Sequence, residues 1–235
     1  MAYTGGRYEK EQTVQNRGRI ITFEGINGVG KTTQAHLLAR ALEDAGNQVR
    51  LIKYPQYEAP VGELIRRYLK GEFGPKEKLF DFAAMLYAAD RAQNTSLYEE
   101  LLSSAVTIIH DRYKEANWGI LTALFPDPAV REEKLQWLLT LEKHMPSSDL
   151  VIYLDLPVED AYQQMALREL WDTHEVDRSF MQACKERYDE LSLRFRWVRI
   201  AGLSGNIIKS TEDKQKEILE EVFAYCPDLS AARYT

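Results

Sequence analysis

Gly25-Ile26-Asn27-Gly28-Val29-Gly30-Lys31-Thr32 decides how this sequence is read. The octet fits G-x-x-x-x-G-K-[ST] and stands between a short apolar run, Arg19–Phe23, and a segment of helical period that begins at Lys31. With a strand before it and a helix after it, the pattern is a cradle for phosphate. Its glycines let the backbone turn tightly and aim successive N–H groups inward, and the helix that follows adds its positive N-terminal end. Lys31 then reaches the β- and γ-phosphates of a nucleoside triphosphate, and Thr32 offers a hydroxyl to Mg²⁺. Thr33, next in the chain, completes the nine residues expected against ATP.

Outward from this loop, short β-branched runs alternate with longer amphipathic segments, the pattern of parallel strands joined by crossover helices. Five strands are predicted, at Arg19–Phe23, Val49–Lys53, Val106–His110, Leu150–Asp155 and Trp197–Ile200. Helices are predicted over Lys31–Ala45, Val61–Leu69, Glu77–Ser103, Val130–His144, Val158–Leu167, Arg178–Arg194 and Thr211–Phe223. The expected fold is α/β, a five-stranded parallel sheet flanked by helices in one P-loop kinase domain over residues 19–225, with tails at 1–18 and 226–235. A chain of 235 residues suits one such domain better than two.

Composition narrows the function further. Lys plus Arg is 30 against 36 for Asp plus Glu, a net charge of −6, which argues against gripping nucleic acid or anionic lipid through bulk charge. The Arg194-Phe195-Arg196-Trp197 cluster therefore reads as cover for the sheet edge. Two cysteines, Cys184 and Cys226, are too few for a disulfide framework, and His110, His144 and His174 lack metal-ligand spacing. No signal-peptide core and no run of 18 apolar residues occurs, so a cytoplasmic protein with no membrane contact is expected.

The loop alone does not choose among GTP switches, motor ATPases and small-molecule kinases. No Asn-Lys-x-Asp guanine reader is present, and the chain lacks the extra domains of a motor. After the third strand, Asp111-Arg112-Tyr113 places an acid and a guanidinium at the carboxyl edge of the sheet, where open α/β sheets bind ligands. Arg112 can fork onto phosphate oxygens, and Asp111 can hold Mg²⁺ through water or orient that arginine.

Taken in order, Phe23-Glu24-Gly25, Tyr54-Pro55, Ala88-Ala89-Asp90-Arg91, Asp111-Arg112-Tyr113 and Leu154-Asp155-Leu156-Pro157 resemble the thymidylate kinase family from about Arg19 to about Phe223. The resemblance implies a monophosphate-binding helical region, a lid over ATP at about 165–178, and a homodimer. It also implies that Tyr54 and Pro55 border the substrate, Tyr87 stacks on thymine, Arg91 hydrogen-bonds the base, Arg112 clamps the monophosphate and Asn117 faces the nucleotide. Three departures stand out. Asn27 replaces an acid common in relatives, Gln56 follows Tyr54-Pro55 where an arginine is frequent, and Lys114–Leu121 replaces the usual serine and Tyr-Gln continuation.

Charge on the transferring phosphoryl group needs neutralising, and no arginine lies between Gly25 and Lys31. The lid is therefore expected to supply a guanidinium, Arg168 first and Arg178 second. The expected reaction is dTMP plus ATP to dTDP plus ADP, with Mg²⁺. Two alternatives stand beside it: a deoxynucleoside kinase, for which Glu58 is the local candidate base, and a non-catalytic nucleotide sensor.

Overall fold

The computed structural model describes residues 17–167 and 177–229. Its centre is a five-stranded parallel sheet made of β1 (Ile20–Glu24), β2 (Val49–Lys53), β3 (Thr107–Asp111), β4 (Leu150–Asp155) and β5 (Val198–Ala201), in the order β2-β3-β1-β4-β5. Every residue of β1 and β3 is buried, because helices cover both faces of a parallel sheet and leave no solvated side. The strands fall within a residue of their predicted limits.

The crossovers are α1 (Lys31–Asp44), α2 (Pro60–Leu69), α3 (Phe80–Ala92), α4 (Thr95–Ser103), a short α5 (Lys114–Ala116), α6 (Pro128–Leu141), α7 (Val158–Leu167), α8 (Arg178–Phe195) and α9 (Thr211–Tyr225). In α1 the buried Gln34, Ala35, Leu38, Ala39 and Leu42 follow the 3.6-residue period and lay one stripe on the sheet. One helix was expected over Glu77–Ser103, and two are found. The chain breaks at Gln93–Asn94, where the Asn94 side chain donates to Tyr54 Oη and Gln56 Oε1, both at 2.9 Å, and so fixes the loop after β2.

Three further differences involve segments whose periodicity is weak. Residues 114–124 form one continuous helical stretch, with α5 passing into a π-turn at Asn117–Leu121 and a 3-10 turn at Thr122–Leu124. A small hairpin, β6 (Leu203–Ser204) and β7 (Ile207–Ile208), follows β5. At the ends, the packed structure reaches past the expected tail boundaries. Gly18 N donates to Leu102 O and Arg17 pairs with Asp149, while Cys226 and Leu229 are buried in the main core. The remaining tail residues, 1–16 and 230–235, lie outside the described residues. Among the described residues no helix is long and apolar enough to cross a membrane, and Cys184 and Cys226 are buried and form no disulfide.

Three apolar cores are found among the described residues. One lies between the sheet and α1, α8 and α9; a second joins α2, α3 and α6 through Ile65, Phe80, Leu121, Leu135 and Leu138; the third gathers Ile20, Ile52, Tyr54, Tyr98, Ile108 and Tyr113. Through the third runs a buried polar chain. Tyr54 Oη meets Tyr98 Oη at 2.6 Å, Tyr98 Oη lies 3.0 Å from His110 Nε2, and His110 Nδ1 lies 3.3 Å from Thr22 Oγ1. His110 also stacks on Tyr113 with ring centroids 4.2 Å apart.

Burial, reinforced by the Arg91 charge, pushes the His110 imidazole down to about 3. The unfolded chain therefore takes up a proton near pH 6.5 that the folded chain refuses, so stability from this site is intact above 6.5 and lost as pH falls toward 3. In urea titrations the stability advantage of the native protein over His110→Phe should shrink by several kcal/mol, to order of magnitude, between pH 7 and pH 4. An advantage that stays constant over that range would show that His110 is not held neutral.

Candidate active site

Strand pairing assembles the site. Phe23 of β1 lies opposite Asp111 of β3, so the loops that leave these neighbouring strands emerge side by side at the carboxyl edge of the sheet. The first is the phosphate loop. Gly25 (φ 138°) and Gly28 (φ 83°) hold left-handed backbone, and a Cβ at Gly28 would stand 2.3 Å from the Ala161 carbonyl oxygen of α7. Gly30 (φ 99°) closes the loop, and α1 begins with no capping side chain and no acid in its first turn. Its free N–H groups and dipole are left for an anion.

Lys31 is buried and folds back over the loop, its Nζ donating to Ile26 O at 2.7 Å and Gly25 O at 3.1 Å. Burial, with the Arg112 guanidinium beside it, pulls the ammonium well below its ordinary range. Phosphate oxygens would replace those carbonyls and restore the charge. Thr32 Oγ1 donates to Asp111 Oδ2 at 2.5 Å, and Lys53 Nζ stands 3.5 Å from the same oxygen. Thr33 is half-buried in the first turn of α1.

Arg112 holds a left-handed backbone, φ 70°, and its guanidinium is fixed on three sides. Nη2 donates to Asn27 Oδ1 at 2.8 Å, Nη1 donates to Tyr188 Oη at 3.2 Å, and Glu24 Oε2 lies 3.7 Å away. Glu24 is fully buried at the end of β1, accepting from Tyr113 N and from Tyr188 Oη, each at 3.0 Å. Burial raises its carboxyl to about 7 against the opposing pull of Arg112. Tyr188 was not legible as a site residue. It fits here because Gly119 lacks a side chain, since a Cβ there would come within 2.7 Å of the Tyr188 ring.

A cavity of about 770 Å³ opens beside this cluster, and its walls include all six expected substrate contacts, Tyr54, Pro55, Tyr87, Arg91, Arg112 and Asn117. Asp90 steadies one wall by accepting from Gln56 N at 3.0 Å. Tyr87 and Arg91 lie one turn apart on α3, as their spacing requires. Arg91 is not a solvated helix-face arginine: it is 2% exposed, and its Nε and Nη2 both donate to Glu142 Oε1, an acid that the sequence did not point to. Of the two lid candidates, Arg168 lies outside the described residues. Arg178 is 57% exposed, pairs with Glu159 at 3.0 Å and stacks over the Tyr162 ring at 4.2 Å, so here it bonds to α7 and not toward the phosphate loop.

A P-loop at the switch point of a parallel sheet, facing an arginine-floored cavity large enough for a nucleotide, defines a nucleoside monophosphate kinase of the P-loop class. The family model for thymidylate kinase matches residues 23–218. A putative thymidylate kinase from Aeropyrum pernix is 32% identical over 213 residues, covering 87% of this chain and 96% of that one. A probable thymidylate kinase from Pyrococcus horikoshii is 33% identical over 206 residues, covering 86% and 95%. A solved structure of thymidylate kinase from Candida albicans shares the fold, with a TM-score of 0.67 and 23% identity over 88% of this chain and 92% of that one. This chain belongs to the thymidylate kinase family.

Lys31→Ala should leave the fold intact and lower kcat by at least ~100-fold, because it removes a buried ammonium bonded to the loop's own carbonyls. Turnover within a few-fold of the parent, with unchanged unfolding, would exclude Lys31 from the chemistry.

Proposed function

We propose that the cavity takes dTMP with its phosphate toward Arg112 and its base toward Tyr87 and Arg91, and that ATP on the phosphate loop converts it to dTDP. The observation that carries this reading is the shared floor of the two sites. Arg112 reaches from the cavity to Asn27 of the phosphate loop, so the acceptor phosphate and the triphosphate would meet across one guanidinium. A phosphate monoester is already largely dianionic at neutral pH, so its oxygen attacks without a general base. What remains is alignment and charge neutralisation, supplied by Lys31, Arg112 and the α1 N-terminus.

Mg²⁺ suits the residues present. Thr32 Oγ1 and Asp111 Oδ2 are hard oxygens in direct contact beside the loop, and no group of three or more His, Cys, Asp or Glu gathers elsewhere among the described residues to hold a metal. Thr32 would ligate the ion and Asp111 would hold its water, with ATP phosphates filling the other positions. When bound, the ion neutralises charge on those phosphates. The lid arginine of this reading is Arg168, on the sequence argument that the phosphate loop carries none. A homodimer in the cytoplasm completes the proposal, and the two reduced, buried cysteines support that compartment.

The nucleoside-kinase alternative needs a base that can take a proton from a neutral hydroxyl near the end of β2. Glu58 has a 96% exposed side chain, pairs with Arg66 at 3.1 Å and stands outside the cavity lining. With ATP and Mg²⁺, ADP should form with dTMP and not with thymidine. The reverse preference would select the nucleoside kinase, and ATP binding without ADP formation would select the sensor.

The Asn27 departure has its own test. Asn27→Asp places a carboxylate against Arg112 and next to the proposed metal, so the Mg²⁺ concentration for half-maximal rate should fall by ~3-fold or more while KM for dTMP rises, as Arg112 is held more tightly. An unshifted Mg²⁺ curve would place Asn27 away from the ion.

A further inference from the structure

One buried acid holds a residue of the cavity wall without lining the cavity itself. Glu142 follows α6 and is 1% exposed at its side chain, and its Oε1 accepts from both Nε and Nη2 of Arg91. That leaves Nη1 as the guanidinium nitrogen not turned to the carboxylate, on a residue that lines the cavity. Glu142 also faces Asn117, another residue of the cavity wall, which starts the π-turn. Burial raises the Glu142 carboxyl, Arg91 opposes this most strongly, and the Asn117 side chain adds to that opposition. Asn117 Nδ2 and Glu142 Oε2 are both buried, and neither has a hydrogen-bond partner.

The chemistry of an ionised carboxylate orients both neighbours. A carboxylate only accepts, so the Asn117 amide turns its NH₂ toward Glu142 and leaves Oδ1, an acceptor, for the cavity. Arg91 presents a donor. The cavity wall therefore offers one donor and one acceptor, which match a ring edge with a carbonyl oxygen next to an N–H. Thymine has that edge in O4 and N3–H. Cytosine has the opposite one, an amino group beside a bare nitrogen, and would set donor against donor and acceptor against acceptor.

We propose that Glu142 is the positioning residue that sets base selection, fixing Arg91 as donor and Asn117 as acceptor. The proposal rests on the reading of the cavity as the dTMP site and deepens it. Selection then resides in a group that never touches substrate, and it acts on the O4/N3–H edge alone. Uracil carries the same edge as thymine and lacks only the methyl group, so the choice between dTMP and dUMP lies outside Glu142's reach.

The test compares kcat/KM for dTMP, dCMP and dUMP in the parent, Glu142→Gln and Glu142→Asp. In Glu142→Gln the neutral amide no longer fixes either partner, so the dTMP:dCMP ratio should fall about tenfold or more, mainly through KM for dTMP, while the dTMP:dUMP ratio stays unchanged. Glu142→Asp keeps the charge and should restore part of the dTMP:dCMP ratio. A purely structural role would lower all three substrates together and leave both ratios as in the parent, and that result would overturn the proposal.

Because breaking a buried pair can unfold a protein, the double variant Arg91→Met/Glu142→Met, which replaces both charges with apolar side chains, provides a second arm. It should fold, bind ATP and discriminate poorly between dTMP and dCMP; retained discrimination would also overturn the proposal. A parent enzyme that does not itself prefer dTMP over dCMP would instead refute the reading of the cavity.

Discussion

The buried carboxylate of Glu24 is the point on which the site turns. One side chain at the end of β1 receives the backbone of Tyr113, the hydroxyl of Tyr188 and the charge of Arg112, and so ties β1, the loop after β3 and α8 to a single point. A carboxyl without solvent, raised by burial to about 7, is tolerated only when its partners are complete. The partners of Glu24 are therefore as constrained as Glu24 itself. Arg112 accepts a left-handed backbone to reach it, and Gly119 gives up a side chain so that Tyr188 can lie against the π-turn. The guanidinium thus arrives at the cavity floor already oriented, without the entropy loss of ordering a free arginine when an anion binds.

A second buried pair, Arg91 with Glu142, repeats this logic at the other end of the cavity. The two arginines differ in how they are held. Arg112 shares its nitrogens among an amide, a hydroxyl and a more distant acid, which leaves it polar capacity toward a phosphate. Arg91 gives two nitrogens to one carboxylate oxygen and retains a narrow donor edge. Strong charge at one end and directional hydrogen bonding at the other suit a ligand that is anionic at one end and a flat heterocycle at the other.

Much of this was legible in the sequence, and the part that was not has physical causes. The phosphate loop reads directly because its glycines are demanded by backbone geometry, and the strands read because a parallel sheet buried on both faces leaves unbroken apolar runs. Tyr87, Arg91 and Arg112 stand out through their place in an ordered series of motifs, and all three line one cavity. Glu142 and Tyr188 were missed because each acts by meeting a residue about fifty or more positions away, and nothing local in Leu-Glu-Lys-His or Arg-Tyr-Asp-Glu announces that meeting. The break at Asn94 was hidden for a similar reason: its amide bonds to Tyr54 and Gln56 across the fold, while its neighbours keep a helical period. The C-terminal limit was drawn too early because Cys226 and Leu229 are isolated apolar residues whose burial depends on where α9 lands.

Gly28 limits what the phosphate loop can carry. The Ala161 carbonyl of α7 occupies the space that any side chain at position 28 would need, and the backbone there is in a conformation that favours glycine. An arginine at that point of the loop therefore requires α7 to shift outward. An intermediate with α7 displaced and the loop unchanged would lose packing against Met165 and gain nothing in exchange. As the chain is packed, a side chain at that point of the loop and the present seat of α7 exclude one another.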